Sequence, residues 1–126
     1  MSLITTEVRG RVGLITLNDP DKRNAITLAM NDEIGSALDA WEADEGIGAV
    51  VLTGAGRGFC AGADLDDLMA GSNAEEMKAI YDGFLRIAHT PLPTIAAVNG
   101  AAVGAGMNMV LACDLVLAGR EYAKFD

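Results

Sequence analysis

The sequence has few of the residues that build metal centres and disulfide frameworks: two cysteines and one histidine in 126 residues. Cys60 stands in a glycine-rich stretch and Cys113 in an apolar run, with neither metal-ligand nor disulfide spacing between them. They read as reduced thiols of a cytoplasmic protein. A nucleophilic Cys60 would need a base, and none accompanies it. His89 ends a helical pattern just before Thr90-Pro91, where a cation complements the helix dipole, and no Ser or Cys partner stands in nucleophile-elbow context. Basic residues are also scarce. Nine Lys and Arg face eighteen Asp and Glu, a net charge of −9, which argues against nucleic acid or an anionic membrane as partner. An anionic small molecule remains compatible, because a few local cations and aimed N–H groups act at short range. The opening Met-Ser-Leu-Ile-Thr-Thr-Glu lacks a basic region followed by an apolar run, so no signal peptide is expected.

Phosphate-loop signatures are missing as well. After the strand pattern Ala49-Val-Val-Leu-Thr53, a dinucleotide fingerprint would need glycine at position 59, which is Phe, and no Lys-Ser/Thr ending marks a P-loop. The uncharged run from Ile95 to Cys113 carries Gly100 and Gly104 at GxxxG spacing. Asn99 and Asn108 interrupt it, and Pro91 and Pro93 precede it. A buried strand, turn and helix explain it better than a membrane span.

What is present is a chain that is 51% apolar, enough for a single α/β domain over 1–126 with its own core. Leu3 to Val8 and Val12 to Leu17 read as a hairpin turning at Gly10. Thr27 is placed to cap a helix whose apolar face is Met30, Ile34, Ala37, Leu38 and Trp41. Ile47 to Thr53 is a strand apolar on both faces. A short helix from about Asp64 to Ala70 precedes a longer one that opens with the capping-box pattern Asn73-Ala-Glu-Glu76. The face of the longer helix is Met77, Ile80, Tyr81, Phe84 and Ala88. Thr94 to Val98 is a strand, Gly106 to Cys113 a helix, and Leu115 to Ala118 a strand. This alternation predicts helices packed on parallel strands. The pattern stops at Tyr122-Ala-Lys-Phe-Asp126 with no closing element, as a cut chain would.

Two stretches carry the chemistry. Gly54-Ala-Gly-Arg-Gly-Phe-Cys-Ala-Gly-Ala-Asp-Leu65 leads from a strand into a helix start, and Asn99-Gly-Ala-Ala-Val-Gly-Ala-Gly106 does the same further on. Glycines permit close backbone approach, and loops entering helix N-termini present N–H groups to anions. Each loop can offer one N–H to a single developing negative charge. The carboxylates Asp64, Asp66 and Asp67 read as complements of a helix dipole in preference to a metal cluster.

Five segments in order resemble the crotonase family, the enoyl-CoA hydratase/isomerase superfamily. They are Asn18-Asp-Pro-Asp-Lys-Arg-Asn-Ala25, Val51-Leu-Thr-Gly54, Gly58-Phe-Cys-Ala-Gly-Ala-Asp-Leu65, Pro93-Thr-Ile-Ala-Ala-Val-Asn-Gly100 and Ala112-Cys-Asp-Leu115. The resemblance implies the N-terminal part of a crotonase-like spiral of ββα units, ending before the trimerisation helices, with homotrimers or hexamers as the assembly. It implies an acyl-CoA thioester as substrate, with no metal and no other cofactor. By position, the N–H groups of Ala63 and Ala105 would form an oxyanion hole for a thioester enolate. Ala61, Asp64 and Leu65 would lie along the CoA path, and Arg23 and Ala25 beside its nucleotide half. Two positions depart from the family pattern: Ala105 stands where glycine is common, and Asn108 where hydratases carry a glutamate. An amide cannot exchange protons near neutral pH, so hydration is not expected from these residues alone. The family's second glutamate would fall beyond Asp126. A one-base isomerase or other enolate chemistry, or a non-catalytic acyl-CoA-binding module, fits Asn108 better.

Overall fold

The computed structural model describes residues 2–63 and 74–126. Strands β1 (Ile4–Arg9) and β2 (Val12–Leu17) form the expected hairpin, turning through Gly10 at φ 60°, with Arg9 opposite Val12. A single 3-10 turn over Pro20–Lys22 then leads to helix α1 (Leu28–Glu42). Thr27 caps this helix, its hydroxyl accepting from the Met30 N–H at 3.0 Å. Next come β3 (Ala49–Gly54), α2 (Ala74–His89) and β4 (Thr94–Val98). The chain continues through β5 (Ala101–Ala102), α3 (Ala105–Ala112), β6 (Leu115–Ala118) and β7 (Lys124–Phe125).

The main sheet runs β1-β2-β3-β4-β6, antiparallel only at the hairpin and parallel from β2 onward. Its buried face comes from alternate residues: Ile15 and Leu17, Val50 and Leu52, Ala96 and Val98. Onto that face α1 presents Met30, Ile34, Leu38 and Trp41, and α2 presents Ile80, Phe84 and Ile87. On the opposite face Leu14, Val51 and Ile95 are only half-buried, so β3 is more one-sided than its sequence predicts.

Helix α2 also differs from its sequence reading. Ile87 joins Ile80 and Phe84 in the core, whereas Met77, Tyr81 and Ala88 are exposed. The apolar arc is wider than one packing surface, and its second half faces open space beside the site. Asp114, in the Ala112-Cys-Asp-Leu115 segment, is structural. Its carboxylate accepts from the Thr94 N–H at 2.9 Å and its own N–H donates to the Thr94 hydroxyl at 2.9 Å, joining the starts of β4 and β6. The two-residue strands β5 and β7 form a separate ribbon that the sequence reading did not contain. The helix predicted from about Asp64 and the capping residue Asn73 lie outside the described residues.

No helix among the described residues is long and apolar enough to cross a membrane. None of their His, Cys, Asp and Glu side chains form a group of three or more that could hold a metal ion.

Candidate active site

Both glycine loops leave the same end of the parallel sheet, the first from β3 and the second from β4, and their backbones are bonded together. The N–H groups of Phe59 and Cys60 both donate to the Ala101 carbonyl at 3.1 Å, and the Val103 N–H donates to the Cys60 carbonyl at 3.0 Å. Phe59, whose presence breaks a dinucleotide fingerprint, is fully buried and anchors the first loop in the core. The connector after β2 lies along the other side of that loop. Its Ile26 N–H donates to the Gly62 carbonyl at 2.7 Å, while the Ala61 N–H donates to the Arg23 carbonyl at 3.0 Å.

Close approach requires glycine at several points here, two of them next to Ala63 and Ala105. Gly62 takes φ 117°, and a Cβ on it would sit 3.3 Å from the Val103 carbonyl oxygen and 4.0 Å from the Ala105 nitrogen. Gly106, in the first turn of α3, lies directly against the Cys60 backbone, where a Cβ would strike the carbonyl oxygen. These contacts set Ala63, the last described residue of the first loop, and Ala105, the first residue of α3, on one cavity. Among the described residues, neither the Ala63 N–H nor the Ala105 N–H donates a hydrogen bond. Ala105 opens its helix, where an N–H has no intrahelical acceptor.

Ala63, Ala105 and Asn108 line one cavity of about 500 Å³, together with Ala61, Gly62 and Gly104. Met77, Ile80, Tyr81 and Phe84 of α2 form its apolar side. The Tyr81 and Phe84 rings pack edge to face with centroids 5.9 Å apart. A second cavity, of about 600 Å³, is lined by Pro20, Arg23, Arg57, Gly58, Ala61 and Ala101, among others. Ala61 borders both cavities. Of the residues singled out from sequence, Ala25 lines neither and is half-buried behind Arg23, its N–H donating to the Lys22 carbonyl at 3.1 Å. Asp64 and Leu65 lie outside the described residues. Arg57 escaped the sequence reading, although it is the one basic side chain within the first glycine loop.

Cys60 is not a nucleophile in this setting. Burial pushes its thiol up to about 11, so it stays protonated at neutral pH. Burial pushes Cys113 up to about 11 as well. With folded-state values above the unfolded value near 9, both thiols favour the folded state below about pH 9. That contribution is lost as the pH rises through about 11. Denaturant titrations should show stability falling across that window. Native Cys60 should also resist alkylation by iodoacetamide at pH 8, with mass spectrometry showing modification only after unfolding.

The site is thus two residues from separate loops, Ala63 and Ala105, lining one apolar-walled cavity, with a second cavity beside it bordered by Arg23 and Arg57. A family model described as enoyl-CoA hydratase/isomerase matches residues 7–126. A Mycobacterium tuberculosis protein described as a probable enoyl-CoA hydratase is 51% identical over 126 residues, covering 98% of this chain and 49% of its own length. The 1,2-epoxyphenylacetyl-CoA isomerase of Escherichia coli is 38% identical over 132 residues, covering 99% of this chain and 50% of its own. The crystal structure of an enoyl-CoA hydratase/carnithine racemase from Magnetospirillum magneticum superposes with a TM-score of 0.90 at 33% identity, covering 99% of this chain and 49% of that one. The chain belongs to the enoyl-CoA hydratase/isomerase family, with the N-terminal portion of the crotonase fold. It spans about half the length of the curated relatives it matches.

Proposed function

We propose that this chain binds an acyl-CoA thioester and stabilises its enolate, the nucleotide half lying in the arginine-lined cavity and the thioester in the cavity beside Asn108. The observation that carries the reading is the convergence of Ala63 and Ala105 on one cavity, with no described acceptor for either N–H. Loss of a proton from the carbon next to a thioester carbonyl leaves the electron pair on the carbonyl oxygen. Two preorganised N–H donors hold that charge without reorganising, each supplying about 3 kcal/mol toward the barrier. At the other end Arg23 and Arg57 supply positive charge for phosphate groups, although the net charge is −9. Ala61, between the cavities, leaves room for the linking chain.

Asn108 faces the same cavity. Adding water to a double bond needs one group to take a proton and another to give one. A carboxamide does neither, but it can hold a water or an acyl oxygen. Asn108 therefore supplies neither proton, and hydration needs acid–base groups other than this one. Isomerisation or another one-base enolate reaction suits the site better than hydration. The same observation favours a second reading, a module that binds acyl-CoA without turning it over. Leu115, Val116 and Leu117 are exposed on the edge strand β6; assembly as trimers or paired trimers is part of the proposal, and sedimentation would measure it.

The chain should bind a non-reactive acyl-CoA in calorimetric titration and hydrate crotonyl-CoA slowly. Asn108→Glu should raise hydration by about 100-fold, the low end of what a positioned acid–base group contributes. Robust hydration by the wild-type chain would overturn the role given to Asn108. Absence of acyl-CoA binding would overturn the whole reading.

A further inference from the structure

Two asparagines that line neither cavity hold the first glycine loop between them. Asn24 is fully buried and left-handed, at φ 57°, and its neighbour Arg23 is also left-handed, at φ 53°. These are the two non-glycine residues with positive φ among the described residues, and they lie where the connector meets the first glycine loop. Side chains rarely hold that conformation unless their surroundings fix it, and such positions concentrate at functional sites. The surroundings of Asn24 do fix it. Its carboxamide NH2 donates to the carbonyls of Ala55 at 2.9 Å and Gly58 at 3.1 Å, and its oxygen accepts from the Asp19 N–H at 2.9 Å.

Asn99 grips the same loop from the opposite side. Its NH2 lies within bonding distance of the carbonyls of Gly54 at 2.8 Å, Gly56 at 3.3 Å and Gly58 at 3.3 Å. Its oxygen accepts from the Gly54 N–H at 3.2 Å. The two carboxamides therefore meet on one acceptor, the Gly58 carbonyl.

We infer that Asn24 and Asn99 are positioning residues for ligand binding, a two-sided clamp that sets the connector bearing Arg23, the loop bearing Arg57, Ala61 and Ala63, and the loop leading to Ala105 in one register. The inference rests on the acyl-CoA reading above. It goes further in making nucleotide binding and enolate stabilisation depend on the same two carboxamides. Loosening either one displaces both ends of the ligand site, although neither asparagine touches the ligand.

Asn24→Gly is the discriminating variant, because glycine accepts the left-handed backbone and removes only the side-chain bonds. Asn99→Asp is its counterpart, keeping shape but replacing the donating NH2 with an acceptor. Both are titrated with CoA and with acetoacetyl-CoA, well below each variant's melting temperature and alongside Arg23→Ala and the double variant Asn24→Gly/Arg23→Ala. The expected result is an affinity for CoA about tenfold weaker in Asn24→Gly, a matching loss of the bound acetoacetyl-CoA enolate band, and an Arg23→Ala effect much reduced in the Asn24→Gly background. That non-additivity is what a positioning role produces and a general loss of stability does not. Asn24→Gly that is folded and binds CoA as the wild type does would overturn the inference, as would independent, additive effects. If Asn99→Asp fails to fold, the Asn24→Gly cycle still decides. Wild-type protein that binds neither thioester nor CoA sinks the acyl-CoA reading instead, so the two failures are distinct.

Discussion

Ala105→Pro should abolish most of the enolate stabilisation while leaving the protein folded. The substitution deletes a single donor, the Ala105 N–H, which has no acceptor among the described residues. Position 105 is the first residue of α3, where proline is well accommodated because its ring matches the helical φ and the missing N–H was unpaired. The residue before a proline must avoid the helical region, and Gly104, at φ 54° and ψ −115°, already does. The bonds that start the helix, from the N–H groups of Gly106, Met107 and Asn108, all come from later residues and are retained. Acetoacetyl-CoA reports the effect directly, since its enolate absorbs in the near ultraviolet where the keto form does not. Losing one of two donors should weaken enolate binding about 100-fold, the lower end of what removing an oxyanion-hole donor costs. Affinity for CoA itself should be unchanged. Ala105→Gly keeps the N–H and should behave as the wild type. Equal enolate binding by Ala105→Pro would remove Ala105 from the oxyanion hole.

The features legible from the sequence are those with local causes. Thr94–Val98 was readable to the residue because Pro91 and Pro93 close the preceding helix and Asn99-Gly100 opens a turn. Thr27 announced its cap by standing just before the first apolar stride of α1. The contact between the two glycine loops was also legible, because each follows a strand pattern and precedes a helix-start pattern in the sequence. The ribbon of β5 and β7 was not, since two-residue strands paired across the chain leave no periodicity to detect. The faces of α2 were partly misread for a related reason. An arc holding Met77, Ile80, Tyr81, Phe84 and Ile87 says that the helix is amphipathic, and only the packed structure says which part meets the core. Asn24 and Asn99 were hidden by their chemistry. A turn asparagine is ordinarily a local device, and nothing in the sequence shows that the carbonyls these two bind lie more than thirty residues away. Arg57 stands among glycines, where backbone contacts are the expected ones, and nothing local shows that it borders a cavity.

The contact between α3 and the first loop yields the second large effect, on stability as well as function. At Gly106 a methyl group would collide with the Cys60 carbonyl oxygen and lie 2.9 Å from the Cys60 Cβ. Nothing there is free to move. Cys60 is fully buried, its N–H is bonded to Ala101 and its carbonyl to Val103, so relief requires α3 to back away from the loop as a unit. Gly106→Ala should therefore cost about 3 kcal/mol, toward the upper end for overpacking a rigid site. Its melting temperature should fall by about 10 °C. Gly35→Ala is the control, since a methyl group there, within α1, meets nothing within 4 Å. It should stabilise by about 0.5–1 kcal/mol, the ordinary advantage of alanine over glycine inside a helix. The same chemical change thus carries opposite signs at the two positions. The retreat of α3 also draws the Ala105 amide away from Ala63, so the Gly106→Ala molecules that remain folded should bind the acetoacetyl-CoA enolate less well while still binding CoA. Thermal unfolding followed by circular dichroism, with enolate absorbance measured below the melting temperature, reads both effects on one sample. Gly106→Ala as stable as the wild type would mean that α3 and the first loop are not in rigid contact, and would remove the basis for placing the two amides around one oxygen.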